Sequence, residues 1–326
     1  MATRQGLQAK SFDLAAAAYS DATGGSMSGD SLRRVTQGFG QAVETQRTTE
    51  AEQVYAADAP RPVAQVVTVQ APILRQANLS TDGGMVLIRE EGWKEVKMSV
   101  FSEVKVTAGL PTSHNPRPDP KLVLHRHSYQ VGLWEASQSG QHQYLEGARR
   151  QVTRCPRLGS TNDGAVWIER ITSLNYPRAV QIIDWSHASG RLWSVAKAAF
   201  GEGTPSAHQW ADKHLERLWE GRVAQVVTAL QALAQQTRPG CDEVRQASAY
   251  FETRQAKMDY AHFRQAGYPI GSGAVESGIN TVVHHRMKRQ GRGWKRTNAQ
   301  AMLAALSELH SGRFQTAWQA RLSFSN

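Results

Sequence analysis

The spacing of apolar residues changes several times along the chain, and each change predicts a different kind of element. Over residues 1–60 apolar positions are sparse and aromatics few. Helices are predicted over 12–23, which is rich in Ala, and over 31–43, where Asp30 or Ser31 can cap a helix bearing Leu32, Val35 and Phe39. Gly24, Gly25 and Ser26 separate the two, giving a pair the size of a helix-turn-helix. Residues 56–63, with Pro60 and Pro62, read as a linker.

From residue 63 the pattern turns to alternation and β-branched runs, predicting strands over 63–69, 85–89, 96–104 and 122–133. A helix is expected over 137–152, and a second apolar set follows over 165–171 and 179–185. Strands, a helix and a further strand in that order predict a mixed sheet flanked by helices. Residues 188–266 look almost wholly helical, with Trp210, Leu215, Leu218, Trp219, Val223, Val226, Val227 and Leu230 spaced by threes and fours. Tyr250, Phe251, Met258 and Phe263 continue that stripe, which reads as a packed core. The run Tyr268-Pro269-Ile270-Gly271-Ser272-Gly273 cannot be a regular helix, but Ser272 or Gly273 can cap one over 274–287. The division expected is therefore 1–60, a helical amino-terminal region; 61–187, the first part of an α/β core; 188–266, a helical insertion; and 267–326, a final helix, basic loop and tail.

Composition narrows the function classes. No apolar stretch approaches the roughly 20 residues of a membrane helix, and Arg4, Gln5 and Lys10 near the start leave no room for a secretory signal. A cytoplasmic protein with no membrane partner is expected. Cys155 and Cys241 have no CxxC or CxxxH neighbours, which excludes a disulfide scaffold. The 38 Lys+Arg against 28 Asp+Glu leave a net charge of +10, favouring a polyanionic partner such as nucleic acid. The positive charge is concentrated: residues 277–307 contain no Asp or Glu, while Arg286, Lys288, Arg289, Arg292, Lys295 and Arg296 crowd together. That strip predicts phosphate binding. Within it Trp294 could stack on a base or anchor the core, and the helix is expected to end near Arg289.

Three acids stand where structure does not demand one. Asp82 lies in Ser80-Thr81-Asp82-Gly83-Gly84, Asp163 in Thr161-Asn162-Asp163-Gly164-Ala165, and Glu276 in Gly273-Ala274-Val275-Glu276-Ser277. Each has a plainer reading, as an Asp-Gly turn or as a partner of a helix dipole. Small flanking residues, however, let a phosphate backbone and a hydrated metal come close. Zinc at the adjacent His284 and His285 is not expected, since neighbouring helical residues point about 100° apart.

The string Asp82-Gly83-Gly84-Met85-Val86-Leu87-Ile88-Arg89, followed by Gly92-Trp93-Lys94-Glu95-Val96-Lys97, resembles the first catalytic block of bacterial insertion-sequence transposases of the ISKra type. The strings Asp163-Gly164-Ala165-Val166-Trp167-Ile168, Asp184-Trp185-Ser186-His187-Ala188, 268–277 and 286–294 are similar to that family's later blocks, in the same order. The resemblance implies an RNase H-like DDE domain using Mg²⁺, or Mn²⁺ as a substitute, to cut and join DNA at transposon ends and target. It assigns the metal-binding triad to Asp82, Asp163 and Glu276, with Asp184 and His187 as an accompanying pair on the fifth strand; Asp184 as the second triad member is the competing choice. For His187 the plainer reading is a core histidine at a strand end. The family further implies a homo-oligomer in the synaptic complex and a place in the cytoplasm at the nucleoid. Family members have a longer amino-terminal region, so an amino-terminally truncated copy is one reading, and a catalytically silent DNA-binding remnant is the alternative to an active enzyme.

Overall fold

The computed structural model describes residues 1–55, 74–109, 118–236, 242–289 and 291–323. The expected strand over 63–69 and the linker over 56–63 lie outside the described residues.

Alternation of buried and exposed positions builds a long meander: β1 (Ala77–Ile88), β2 (Gly92–Thr107) and β3 (Lys121–Gly132). A turn with Glu90 and Gly92 at positive φ joins β1 to β2 and sets Asp82 opposite Met98. After helix α4 (Ala136–Arg149), strand β4 (Leu158–Asn162) runs parallel to β1; helix α5 (Val166–Asn175) then leads to β5 (Val180–Ile183), parallel to β4. The sheet order is β3-β2-β1-β4-β5, a five-strand mixed sheet with β1 at its centre.

Strand parity decides which residues face which helices. Val86, Ile88, Val96, Met98 and Val100 share a core with Val275, Ile279, Val282 and Val283, with residues of α13 (Arg296–His310), and with Leu7, Phe39 and Val43. Leu7 lies on α1 (Ala2–Gln8), and Phe39 and Val43 on α3 (Gly29–Tyr55); α2 (Phe12–Thr23) lies between these helices. The amino-terminal helices are thus built into the main core, each such apolar side chain contributing about 1.5–3 kcal/mol on burial. On the opposite face Leu79, Phe101, Val152 and Tyr176 pack together. Helices α6 (Trp185–Phe200), α7 (Pro205–Trp219), α8 (Val223–Gln236), α9 (Asp242–Arg254) and α10 (Tyr260–Gln265) follow β5. They share a second core, in which Leu218, Val226, Val227, Leu230, Phe251 and Met258 meet Ile182 and Ile183. The chain then returns through α11 (Gly273–Gly278), a π-turn (Ile279–His284) and α12 (His285–Met287) to the main core, and ends with α13 and α14 (Phe314–Ser323). No described helix is long and apolar enough to cross a membrane.

Several elements differ from expectation. The apolar run over 165–171 is helical, because Ile168, Ile171, Thr172 and Asn175 bury one face at helical spacing. The neighbouring strand is instead Leu158–Asn162, buried throughout although mostly small and polar. Its polar groups are satisfied locally: Thr161 Oγ1 donates to the Pro269 carbonyl at 2.8 Å, and Asn162 Nδ2 to Ser160 Oγ at 2.8 Å. The helix expected over 31–43 runs on to Tyr55, whereas the final helix expected over 274–287 is found over Gly273–Met287 with a π-turn inside it.

Candidate active site

The parting of β1 and β4 makes the site. Their backbone pairing ends at Leu79 and Ser160; beyond it the Thr81 N–H donates to Asn162 Oδ1 at 2.6 Å, so a side chain replaces the ladder. Asp82 follows on β1 and Asp163 on the turn after β4, at the carboxyl end of parallel strands where open α/β sheets place their ligands. Glycines keep this opening clear. Gly164, at φ +83°, turns the chain behind Asp163, and a Cβ there would come within 2.7 Å of Ile183. A Cβ on Gly84 would meet Ile279 at 2.8 Å, so only glycine lets the final helix lie against β1 beside Asp82.

Asp184 caps α6 and is 2% exposed. Its Oδ1 accepts from the His187 N–H at 2.9 Å, from His187 Nδ1 at 3.1 Å and from the Ser186 hydroxyl, while Oδ2 accepts from the Ser272 N–H. Ser272 Oγ in turn donates to Glu276 Oε1 at 3.1 Å. One aspartate thus ties the start of α6 to the start of α11. Burial would raise its carboxyl, but these bonds outweigh burial and hold it well below the usual range.

Asp82 and Asp163 are far less committed. Asp82 Oδ1 accepts from the Gly83 N–H at 2.7 Å, and Asp163 Oδ1 from the Ala165 N–H at 2.8 Å. Tyr250, from α9, donates its hydroxyl to the Asp163 carbonyl at 2.8 Å, and Arg254 lies over the Tyr250 ring at 4.7 Å. Burial raises the Asp82 carboxyl; the Gly83 N–H opposes this, the charge of Asp163 adds to it, His187 opposes and Glu276 adds. His187 is raised first by its bond to Asp184, against burial, and then by the charges of Asp184, Asp163 and Asp82. Asp82 thus feels the charges of Asp163, His187 and Glu276, and His187 those of Asp184, Asp163 and Asp82. Potential ligand atoms of Asp184, His187 and Glu276 lie within 4.8 Å of one another, a close-set group to which neither Asp82 nor Asp163 belongs. Among the described residues no Lys or Arg pairs with Asp82, Asp163 or Glu276, so the negative charge is left for a cation to balance. Carboxylate oxygens around such a charge suit a hard divalent ion.

The basic strip divides. Arg286 is 4% exposed, donates Nε to the Gly6 carbonyl at 3.0 Å and stacks on Phe12; burial lowers it to about 10. It anchors the amino-terminal helices and is not the surface phosphate contact expected. Trp294 is half-buried against the main core, with Nε1 donating to the Met287 carbonyl at 2.9 Å, so its ring is an anchor. Arg296 is held by both oxygens of Glu91. Lys288, Arg292 and Lys295 are exposed and Arg289 half-exposed. The loop carrying them is fastened to the end of β1: the Trp294 N–H donates to the Leu87 carbonyl at 2.9 Å and the Arg89 N–H to the Trp294 carbonyl at 2.8 Å.

Sequence reasoning overlooked Ser272, Tyr250 and Trp93. Tyr250 and the Ser272 N–H act through contacts across the chain that no local pattern reveals, while the Ser272 hydroxyl reaches Glu276 only four residues on, and Trp93, 53% exposed between a turn and Lys94, carried a readable signal. No protein-family model matches the chain, and no curated protein matches it.

Proposed function

We propose that this protein is a Mg²⁺-dependent DDE-type DNA transposase with an RNase H-like core, in which α6–α10 form a helical insertion between β5 and the final catalytic helix. The observation that supports this reading is that Asp82 feels the charges of both Asp163 and Glu276, while none of the three has a Lys or Arg ion-pair partner among the described residues. The strand order, with an antiparallel meander joined through β1 to two parallel strands, supports the fold assignment.

In this reading Asp82, Asp163 and Glu276 hold the metal ions, which when bound acidify an attacking water or 3′-hydroxyl and stabilise the leaving alkoxide. Asp163 is favoured over Asp184 as the second carboxylate because Asp184 already spends both oxygens on protein donors. Asp184 is then a positioning residue. It orients His187 and, through Ser272, Glu276. His187 Nδ1 donates to Asp184, leaving Nε2 to hold or release a proton beside the acids. Lys288, Arg289, Arg292 and Lys295 hold the DNA backbone, contacts that position without specifying sequence. Transposon-end and target DNA are the partners, in a homo-oligomeric synaptic complex in the bacterial cytoplasm.

The test is metal-dependent nicking and strand joining on a plasmid carrying the DNA that flanks the gene. Wild-type protein with Mg²⁺ or Mn²⁺ nicks it, and Asp82→Ala reduces the rate at least about a hundredfold, the scale of removing one strong electrostatic contact to the transition state. Undiminished activity in Asp82→Ala sinks the assignment. Salt-sensitive binding without cleavage under any metal selects the silent remnant instead.

A further inference from the structure

The exposed face of the final helix leads away from the acids. Glu276, Asn280 and Lys288 are exposed at four- and eight-residue spacing; His284 between them, with Nδ1 3.1 Å from Asn280 Oδ1, turns its buried Nε2 inward and holds the Asn280 side chain in place. The π-turn over Ile279–His284 widens the helix, which helps residues four apart stay in line. Lys288 Nζ lies 5.8 Å from the ring centroid of Trp93, at the β1–β2 turn. Trp93 pairs across the strands with Leu87, whose carbonyl is held by the Trp294 N–H, while Arg89 Nε donates to the Gly293 carbonyl at 2.8 Å. The indole is therefore exposed on a backbone fixed at several points. Met85, two residues from Leu87 on the same face of β1, is exposed as well.

The charge around Trp93 favours a polyanion. Glu91 is taken by Arg296 and Glu95 by Lys97, whereas Lys288, Arg289 and Arg292 have no carboxylate partner among the described residues. An exposed aromatic plane beside unpaired cations is the composition of a nucleobase platform. From Glu276 to Met287, just before Lys288, the helix covers roughly 16 Å, the length of about five stacked nucleotides.

We propose that Trp93 stacks on an unpaired base of the DNA strand held in the acid cluster, about five nucleotides from the reacting phosphodiester, with the exposed Asn280 and Lys288 tracking the strand between. This rests on the transposase reading above and names how that site grips its substrate. Trp294, whose ring is packed inward, takes no part.

The probe is a forked DNA duplex with 2-aminopurine placed at successive positions through the fork, mixed with wild-type, Trp93→Ala, Trp93→Phe and Lys288→Ala proteins. Wild type quenches the fluorophore at one position. Trp93→Ala abolishes that quenching and weakens binding roughly 5- to 150-fold, the range for one stacked base; Trp93→Phe restores both, and Lys288→Ala weakens binding while leaving a quenched position. Unchanged quenching and affinity in Trp93→Ala, with wild type still binding DNA and nicking it, overturns this inference alone. Failure of wild type to bind the fork removes the transposase reading and this inference together. A Trp93→Ala protein that changes its sedimentation but not its DNA signal overturns the platform and identifies a contact between copies of the chain.

Discussion

Two gatherings of carboxylates flank the same sheet, and the protein treats them oppositely. Near β3, Glu146, with its side chain 0% exposed, accepts Arg313 Nη1 at 2.9 Å and Nη2 at 3.0 Å and Gln130 Nε2 at 3.1 Å. Glu308 accepts Arg313 Nε at 2.8 Å and lies 3.5 Å from Arg149, which also reaches Glu50. Burial would raise the Glu308 carboxyl, yet Arg313, Arg149 and Arg47 bring it below its ordinary value. At the β1–β4 fork burial, with the charges of Asp163 and Glu276, outweighs the Gly83 N–H and His187, and Asp82 ends above its ordinary value. The first group joins α3, α4, α13 and α14 without outside help. The second ties α6 to α11 through Asp184 alone and leaves Asp82, Asp163 and Glu276 without a basic ion-pair partner among the described residues, an arrangement that under the function proposed above a cation would balance.

The contrast breaks first at Glu146. Replacing it with Ala leaves Arg313 and Arg149 in a buried region with too few acceptors, and stability falls by about 3–5 kcal/mol. Denaturant unfolding of Glu146→Ala against wild type measures this. A loss no larger than that of an exposed glutamate such as Glu90 removes the distinction between the two groups.

Divalent metal should act on the second group alone. Mg²⁺ at a hundredfold its dissociation constant stabilises the wild-type fold by about 2.7 kcal/mol, because it binds the folded acids and not the unfolded chain. The gain is expected to survive in Glu146→Gln and vanish in Asp163→Asn, read as the shift in thermal midpoint on titrating Mg²⁺ or Mn²⁺. Equal shifts in all three proteins mean that the ion binds elsewhere.

What could be read in advance divides along similar physical lines. Asp82, Asp163 and Glu276 stand out because small residues surround them in the sequence itself, and β2, β3 and the second half of β1 are marked by apolar and β-branched runs, whereas residues 77–84 of β1 are small or polar and buried. Strand β4 does not, since Leu158–Asn162 is buried on both faces while its hydroxyl and amide groups satisfy one another; hydrophobicity cannot signal such a strand. Val166, Ile168 and Ile171 fit a short buried strand as well as a helix, and only the later Thr172 and Asn175 show the helical face. Arg286 looks like its neighbours in a basic run, but its partner is the carbonyl of Gly6, 280 positions away. Residue type set the charge of that strip; distant packing chose which of its members meet solvent.

The smallest effect separates an uncompensated acid from a neutralised one by pH. The folded pKa of Asp82 lies above its unfolded value, so its ionised form disfavours the fold; that penalty is full above the folded pKa and fades as pH falls toward the ordinary value of 3.8. Without metal, Asp82→Asn should therefore be more stable than wild type at neutral pH, on the order of 1 kcal/mol, the usual cost of a buried polar group left partly unsatisfied. The Asn side-chain oxygen can still accept the Gly83 N–H, so the local turn survives. The difference closes as pH drops through the window between the raised folded value and 3.8. His187 and Asp184 titrate in both proteins and largely cancel from the comparison, although His187 favours ionised Asp82 and slightly narrows the gap while it is protonated. Denaturant unfolding of the pair in EDTA across that pH range gives the difference directly, and saturating Mg²⁺ should reverse its sign. A substitution that destabilises the protein at neutral pH in EDTA would mean that Asp82 is already balanced within the fold, and the contrast with Glu146 would fail at its weaker member.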